Sequence, residues 1–599
     1  MDKKNKLKYI EKIIILLVMI VLCFRLFSLY KLRTFHIIDE AYSYGFANNP
    51  GEPWFLHPGI DDNGYTIFVH YGKWYSGQEF MDFLTVNDGE RFDFSSVISN
   101  KLDDTSPSNY ELLLHFVSSF FPGKFSWDFA FLINIIFYFF TLILIVCIVS
   151  FLFRESEYRL LYAVICLIFF AFSICGTGSF TFFRMYGILS FYALLVLYSM
   201  MRISDSSGVW EYIYSIVLCI GSFMGFFTHF NFLVFAFCLT LFVCIYLLIT
   251  RRIKTMFFVS ISELLSVILF FLIYPFPFKR AELWMNGENS DGFSYFTRLI
   301  FSNMHTFGES IGFYIPFTIS NIILWLGIVI FILIIAILFV FVLRNEKWFI
   351  KFKKTFINCL QWFWKSAVDI LKNSYPWIFI LFVTAVMYML IINAIAPILT
   401  TKGYVTRYFF IGMHLVIISF VCFLLKIFDY FKMKKKLIFG PVVIFLLVFL
   451  LYNQSINYGN PFIFNKPFDK DEEIYELTFG KDVMIFSSEN LDLYSLIIPL
   501  RGVNRFYFIK SEDIKSIEND IPDHPFYVMV DKDSFYEEIN FGDNLGGLEY
   551  HSGNLDGTIY DYINSRLNID GSNEFEFVRN YNSYAGEYMI YYVLNNENL

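Results

Sequence analysis

Residues 1–42 read MDKKNKLKYIEKIIILLVMIVLCFRLFSLYKLRTFHIIDEAY. A basic start is followed by an apolar run from Ile13 to Leu29, near the length that a membrane-crossing helix needs. The pattern resembles a signal peptide, but no small-residue cleavage site follows, so the run is read as an uncleaved first helix. Directly after it the chain turns polar, through His36, Asp39 and Glu40. An apolar helix thus delivers two adjacent carboxylates to one membrane surface, and the rest of the chain can be oriented from it.

The chain has 599 residues, 57% hydrophobic and 17% charged, with a mean hydropathy of +0.54. A soluble globular protein is nearer half apolar and a quarter charged. The excess lies in long runs, so the chain is a polytopic membrane protein; disordered, coiled-coil and cytosolic-enzyme classes are excluded. The nine cysteines are at 23, 147, 166, 175, 219, 238, 244, 359 and 422. Eight lie in apolar runs and Cys359 in a basic loop, so no disulfide framework holds the long first loop or the tail. No CxxC, HExxH or zinc-type spacing occurs.

Further apolar runs lie at about Phe129–Leu152, Leu160–Cys175, Phe182–Met201, Tyr212–Phe227, Phe230–Thr250, Met256–Tyr274, Ile315–Leu343, Ile378–Ile395, Phe409–Ile427 and Leu437–Leu451. About eleven transmembrane helices are therefore expected. Lys and Arg set the orientation. With the N-terminus cytoplasmic, the inner loops contain Arg154 and Arg159, Arg202, Arg251 to Lys254, the Arg344–Lys372 stretch, and Lys432 to Lys436. The short outer turns near Gly176 and His229 contain neither residue type. Only Arg25, Lys31 and Arg33, at the outer end of the first helix, run against the rule. Parity then places the 33–127 loop, the loop after Lys279 and the tail outside.

From Asn453 onward there are 26 Asp and Glu against 10 Lys and Arg, a net charge of −16, while the remainder carries +8. Two domains in two compartments follow: a membrane domain over 1–452 and an acidic extracytoplasmic α/β domain over 453–599. Inside the tail, Val483–Ser487, Arg505–Ile509 and Phe526–Val530 read as strands, Leu491–Leu500 and Ser511–Asn519 as helices, and Glu574–Arg579 with Glu587–Leu594 as a closing hairpin. The inner segment 344–375 mixes Trp, Phe and Lys at helical spacing and reads as amphipathic and interfacial. Tyr110–Phe121 reads as a similar short helix in the outer loop.

The polar residues at the ends of the spans carry the chemistry. Asp39 and Glu40 could supply a general base or bind a divalent metal ion; Asp103 and Asp104 lead into the Tyr110 helix. Arg184 and Tyr186 lie near the outer end of their span, where an Arg must face protein, water or an anionic headgroup. Thr228 and His229 form an outer turn, and Tyr404, Arg407 and Tyr408 open a late helix from outside. Each alone is an ordinary cap, turn or anchor. Five places on one membrane face, carrying acids, cations and a His, suit a lipid-phosphate substrate.

In order and sidedness these residues resemble the GT-C glycosyltransferases of the protein mannosyltransferase and aminoarabinose transferase type (glycosyltransferase family 39-like). That family has an acidic pair in a large first outer loop, matched by Asp39-Glu40. It then has an Asp before His-Pro-Pro and an apolar helix; DDTSPSNYELLLHF is similar, with Asp104 at the Asp, Pro107 at the first Pro and Ser106 where His is usual. Arg184-Met185-Tyr186, Thr228-His229 and Arg407-Tyr408 match its remaining short motifs, over roughly Ile13–Leu451.

The resemblance implies a GT-C-type membrane fold, a polyprenyl-phosphate-linked sugar as donor, and transfer outside the cell membrane to a protein, glycolipid or cell-wall polymer. It makes Asp39 the general base and assigns Glu40 and Asp104 to the acceptor or a metal. Arg184, Tyr186, His229, Arg407 and Tyr408 go to the donor phosphate, with Asp103 and Tyr404 in support. No nucleic acid is expected as a partner. A transporter and a non-catalytic scaffold of the same fold are the alternatives; Glu263 is the one acidic residue well inside a span.

Overall fold

The computed structural model describes residues 3–51, 55–56, 59–60, 66–67, 72–102, 107–274, 310, 376–395, 407–433, 444–452, 469–487, 490–509, 520–532, 573–583 and 587–595. The expected span over 315–343, the amphipathic segment 344–375 and the helix over 511–519 lie outside these residues. The helices are α1 (Lys3–Lys31), α2 (Ile38–Asn48), α3 (Gln78–Leu84), α4 (Phe94–Leu102), α5 (Asn109–Ser118), α6 (Trp127–Leu152), α7 (Arg159–Phe172), α8 (Ile174–Thr181), α9 (Tyr186–Asp205), α10 (Val209–Phe226), α11 (Asn231–Ile249), α12 (Ile253–Ile273), α13 (Pro376–Ile395), α14 (Phe410–Met433), α15 (Asp471–Thr478) and α16 (Asn490–Leu496). The chain divides into two compact units: a helical one, Met1–Leu26 with Ile136–Thr181 and Tyr186–Ile463, and an α/β one, Phe27–Ile135 with Phe182–Met185 and Phe464–Leu599.

Among the described residues, eight helices are long and apolar enough to cross a membrane, or nine if the bent pair α7–α8 counts as one span. The chain is thus a multi-pass membrane protein. Of the expected Leu437–Leu451 run, the described part, 444–451, is helical.

The Leu160–Cys175 run is not a single straight span, because it breaks at Ser173, where α7 and α8 meet at 60°. Ser173 Oγ donates to Phe170 O at 2.6 Å and accepts from Gly176 N at 2.9 Å, so it replaces helix bonds on both sides of the break. The turn is tight enough that a Cβ at Gly176 would lie 1.9 Å from Phe170 O. Arg25 Nη1 donates to Ala171 O at 2.7 Å and to Thr177 Oγ1 at 3.2 Å, supplying a donor to a carbonyl that the break has released. Arg25, against the charge rule in sequence, is therefore a cap for the break. Glu263 has a partner too: buried in α12, it accepts from Ser222 Oγ of α10 at 2.8 Å.

The α/β unit is built on β3 (Trp74–Ser76), β4 (Asp482–Phe486), β5 (Arg505–Ile509), β6 (Phe526–Asp531), β7 (Asn573–Asn582) and β8 (Glu587–Asn595), with a separate two-residue pair of β1 (Gly59–Ile60) and β2 (Thr66–Ile67). The six-stranded sheet runs β3-β5-β4-β6-β8-β7. β4 is parallel to both β5 and β6, and all its residues are buried, as its unbroken DVMIF run requires of a central strand. β7 and β8 form the expected hairpin.

The sequence reading keeps the first loop apart from the tail; here they share one sheet. β3 of the loop pairs antiparallel with β5 of the tail, Trp74 opposite Tyr507 and Ser76 opposite Arg505. Gly77 then donates to Asn504 O at 2.8 Å, and a Cβ there would lie 1.8 Å from Val503 O. Short β3 has no pattern of its own and is held by an edge that lies some 430 residues later in sequence.

α2, α4 and α5 pack together in the same unit. One face of α5 forms a polar seam with α2: Ser43 with Glu111 at 3.4 Å, Ala47 O with His115 Nδ1 at 2.7 Å, and Asn48 with Ser118 at 3.4 Å. The expected interfacial helix is therefore half a core helix. Phe116, Phe120 and Phe121 stay exposed on and just beyond it.

Candidate functional site

α2 begins at Ile38 because Ile37 stays extended, at φ −107° and ψ 143°, and Glu40 turns back to take the Ile37 amide at 2.9 Å. That is the carboxylate half of a capping box. Glu40 is fully buried. Its Oε1 accepts from Arg33 Nη1 at 2.7 Å and from Phe183 N at 2.8 Å; its Oε2 accepts from Arg33 Nη2 and from Ile37 N. Four donors fill two oxygens, so this carboxylate is committed to the protein. Arg33 lies over the rings of Phe183 and Trp127, 4.5 and 5.4 Å from their centroids. Lys31, the other charge against the rule in this unit, pairs with Asp128 at 3.2 Å.

Asp39 differs from its neighbour in being partly exposed. Its main-chain carbonyl accepts from Arg184 Nη1 at 3.0 Å, and the same nitrogen donates to Ser43 Oγ at 3.0 Å. The acidic pair and the Arg motif, 145 residues apart, are thus pinned crosswise: Arg184 holds the Asp39 carbonyl, and Glu40 holds the Phe183 amide. The expected helix start at Phe182 moves to Tyr186, because Phe182–Met185 is used here instead; Phe182 O accepts from Asn134 Nδ2 at 3.0 Å.

Behind Ser43 lies a buried ion pair. Lys101 Nζ reaches Glu111 Oε1 at 3.4 Å with side chains 0% and 1% exposed. Tyr110 beside it is fully buried. Burial first, then the charges of Tyr44, Glu40 and Glu111, push its hydroxyl well above the usual range, against Arg184, so it stays neutral.

In the helical unit three expected residues meet. Tyr186, His229 and Tyr408 form a triangle of rings, with centroids 6.0, 6.1 and 6.1 Å apart. His229 Nδ1 accepts from Asn231 N at 3.0 Å, which fixes that nitrogen as the acceptor and leaves Nε2 to carry the proton of the neutral ring. Arg407 Nη2 donates to Tyr408 Oη at 3.4 Å, and Tyr388 Oη donates to Tyr408 O at 2.8 Å. Asp103, Asp104 and Tyr404 lie outside the described residues.

No family model matches the chain, and no curated protein matches it. Solved structures do. "Crystal Structure of ArnT from Cupriavidus metallidurans bound to Undecaprenyl phosphate" is similar over 88% of this chain and 95% of its own, at 11% identity and a TM-score of 0.34. The apo ArnT structure from the same organism is similar over 84% and 92%, at 11% and 0.30. ArnT is a GT-C aminoarabinose transferase, the type that the sequence motifs resemble.

Sequence reading passed over Arg33, Ser43, Lys101 and Glu111. Arg33 left a trace, as a basic residue on the wrong side of the charge rule, and so did Glu111, as a lone acid in an apolar helix. Among the described residues no group of three His, Cys, Asp or Glu side chains could hold a metal ion. Glu40 is filled by four donors besides, which leaves it none of its lone-pair sites to offer a metal.

Proposed function

We propose that this protein is a membrane glycosyltransferase that moves a sugar from a polyprenyl-phosphate donor to a hydroxyl-bearing acceptor outside the cell membrane. The observation that carries the reading is the division of labour in the acidic pair. Asp39 keeps a partly exposed side chain while Arg184 holds its carbonyl, and Glu40 is sealed into the scaffold beside it. A base needs a defined position and an accessible carboxylate, and the held carbonyl and partial exposure of Asp39 support that role.

In the proposed step the acceptor oxygen attacks the anomeric carbon. Its proton passes to Asp39, and the bond from that carbon to the phosphate oxygen breaks, the phosphate leaving with the electron pair. Arg184 and Arg407 are proposed to offset the charge that grows on the departing phosphate, and Tyr186, His229 Nε2–H and Tyr408 to donate hydrogen bonds to it. Glu40 is assigned a holding role through Arg33 and Phe183. Asp104 is proposed as an acceptor-orienting residue, with Asp103 and Tyr404 in support. The N-terminus is placed in the cytoplasm and the tail outside, by the positive charges of the inner loops.

The test is native mass spectrometry of the protein in mild detergent, wild type against Arg184→Ala/Arg407→Ala. An adduct with the mass of a sugar-bearing polyprenyl phosphate, or uptake of added undecaprenyl phosphate, is expected in the wild type and lost in the variant. Equal binding of ordinary phospholipid by both, with no uptake of undecaprenyl phosphate, refutes the donor assignment.

A further inference from the structure

The start of α2 is held from a second side by the tail. His36 is 3% exposed, and its Nδ1 lies 2.8 Å from Asp471 Oδ2. Asp471 is equally committed: its Oδ1 accepts from Tyr581 Oη at 2.9 Å and its amide donates to Thr34 O at 3.0 Å. It opens α15, a helix without a side-chain cap at its N-terminus. A carboxylate at that position would ordinarily serve its own helix; this one is spent on His36 and Tyr581. One turn into α2, the Tyr42 ring packs on Tyr494 of the tail at 4.4 Å, and the Tyr494 hydroxyl accepts from Phe55 N at 3.0 Å. Tail contacts therefore fall at Thr34, His36 and Tyr42, on both sides of Asp39. Arg184 takes the Asp39 carbonyl in the same turn.

We propose that Asp471 is a positioning residue: acting through His36, it sets the start of α2 so that the Asp39 carbonyl meets Arg184. The proposal rests on the reading of Asp39 and Arg184 given above. It gives the acidic tail a part in forming the site, where the sequence alone leaves it as a detached domain of unknown use. A buried carboxylate bonded to one His and one Tyr is a directional clamp, since moving His36 by an ångström breaks a bond that buried groups cannot recover from solvent.

The experiment uses the full chain in detergent, with labelled undecaprenyl phosphate as probe and the thermal midpoint recorded in parallel. Asp471→Asn keeps the shape and removes the charge; Tyr581→Phe removes only the bond to Asp471 and is the gentler variant if the first fails to fold. Asp471→Asn is expected to weaken retention of the lipid phosphate by about five- to tenfold, and Tyr581→Phe by less. In an Arg184→Ala background Asp471→Asn should give no further loss, because its effect passes through Arg184. A purely structural clamp would instead lower the thermal midpoint with lipid-phosphate retention unchanged, or would weaken retention equally in the Arg184→Ala background; either result overturns the proposal. A wild type that takes up no lipid phosphate refutes the functional reading, and this proposal with it.

Discussion

Arg33 and Glu40 provide the sharpest energetic test of how the site is built. Arg33→Met removes two guanidinium bonds from a carboxylate whose side chain is 0% exposed. Glu40 then keeps only the Ile37 and Phe183 amides. Breaking a buried pair from one side costs ~3–5 kcal/mol, because the remaining charge stays buried without its partner. Glu40→Gln alone leaves Arg33 facing an amide and sets an NH2 group against a donor, a further ~1–3 kcal/mol. The double variant has neither charge, so its cost should fall well short of the sum, with a coupling of ~2 kcal/mol or more. At ~2–4 °C per kcal/mol, Arg33→Met lowers the thermal midpoint by ~6–20 °C, and adding Glu40→Gln restores a large part of it. Intrinsic tryptophan fluorescence of the purified protein is the assay, since Trp127 lies against the Arg33 guanidinium. Strictly additive losses, or an Arg33→Met midpoint within about 2 °C of wild type, would show that the pair is not the buried unit described.

Asp39→Asn should lower sugar transfer by ~10²–10⁴-fold with the thermal midpoint and lipid-phosphate uptake retained; loss of uptake instead would remove it from the role of base. Gly77→Ala should block the junction of β3 with β5, because the new Cβ meets Val503 O at 1.8 Å; a wild-type midpoint would refute the shared sheet. Arg25→Leu leaves the Ala171 carbonyl without its charged donor and should cost ~1–3 kcal/mol, with Arg25→Lys recovering part of it in the same thermal assay. Burial holds His115 below its ordinary value of 6.5, with the Ala47 carbonyl opposing. The unfolded chain therefore binds more protons than the folded one, and the contribution of His115 is present above about pH 6.5 and lost as the pH falls below it. His115→Gln should flatten the midpoint between pH 7 and pH 5; an unchanged slope would refute the burial argument.

Much of this was legible in the sequence, because a bilayer demands long apolar runs and the chain supplies them as contiguous text. The spans, the strands at 482–486, 505–509 and 526–531 and the closing hairpin need only local pattern. Residues from separate motifs also lie together in space: Tyr186, His229 and Tyr408 meet as rings, and Arg184 meets the Asp39 turn. What local pattern could not carry was the partner of each buried charge. Arg25, Lys31 and Arg33 read as three violations of a charge rule, and each is answered by a group over long or short range: the Ala171 carbonyl, Asp128 and Glu40.

Asp39 and Glu40 stand side by side in one motif, and the resemblance gives them different roles but no difference in burial. Only the tertiary structure shows that difference, because burial depends on what the rest of the chain places around each carboxylate. Phe183 and Arg33 close over Glu40, and nothing in HIIDEAY foretells it. The same holds for His36 and Asp471, 435 residues apart, and for β3, a three-residue strand that exists because β5 offers it an edge. The apolar period that drives a chain into a membrane is written along the sequence. The pairing of buried polar groups is set by distance in space, and the folded chain alone decides it.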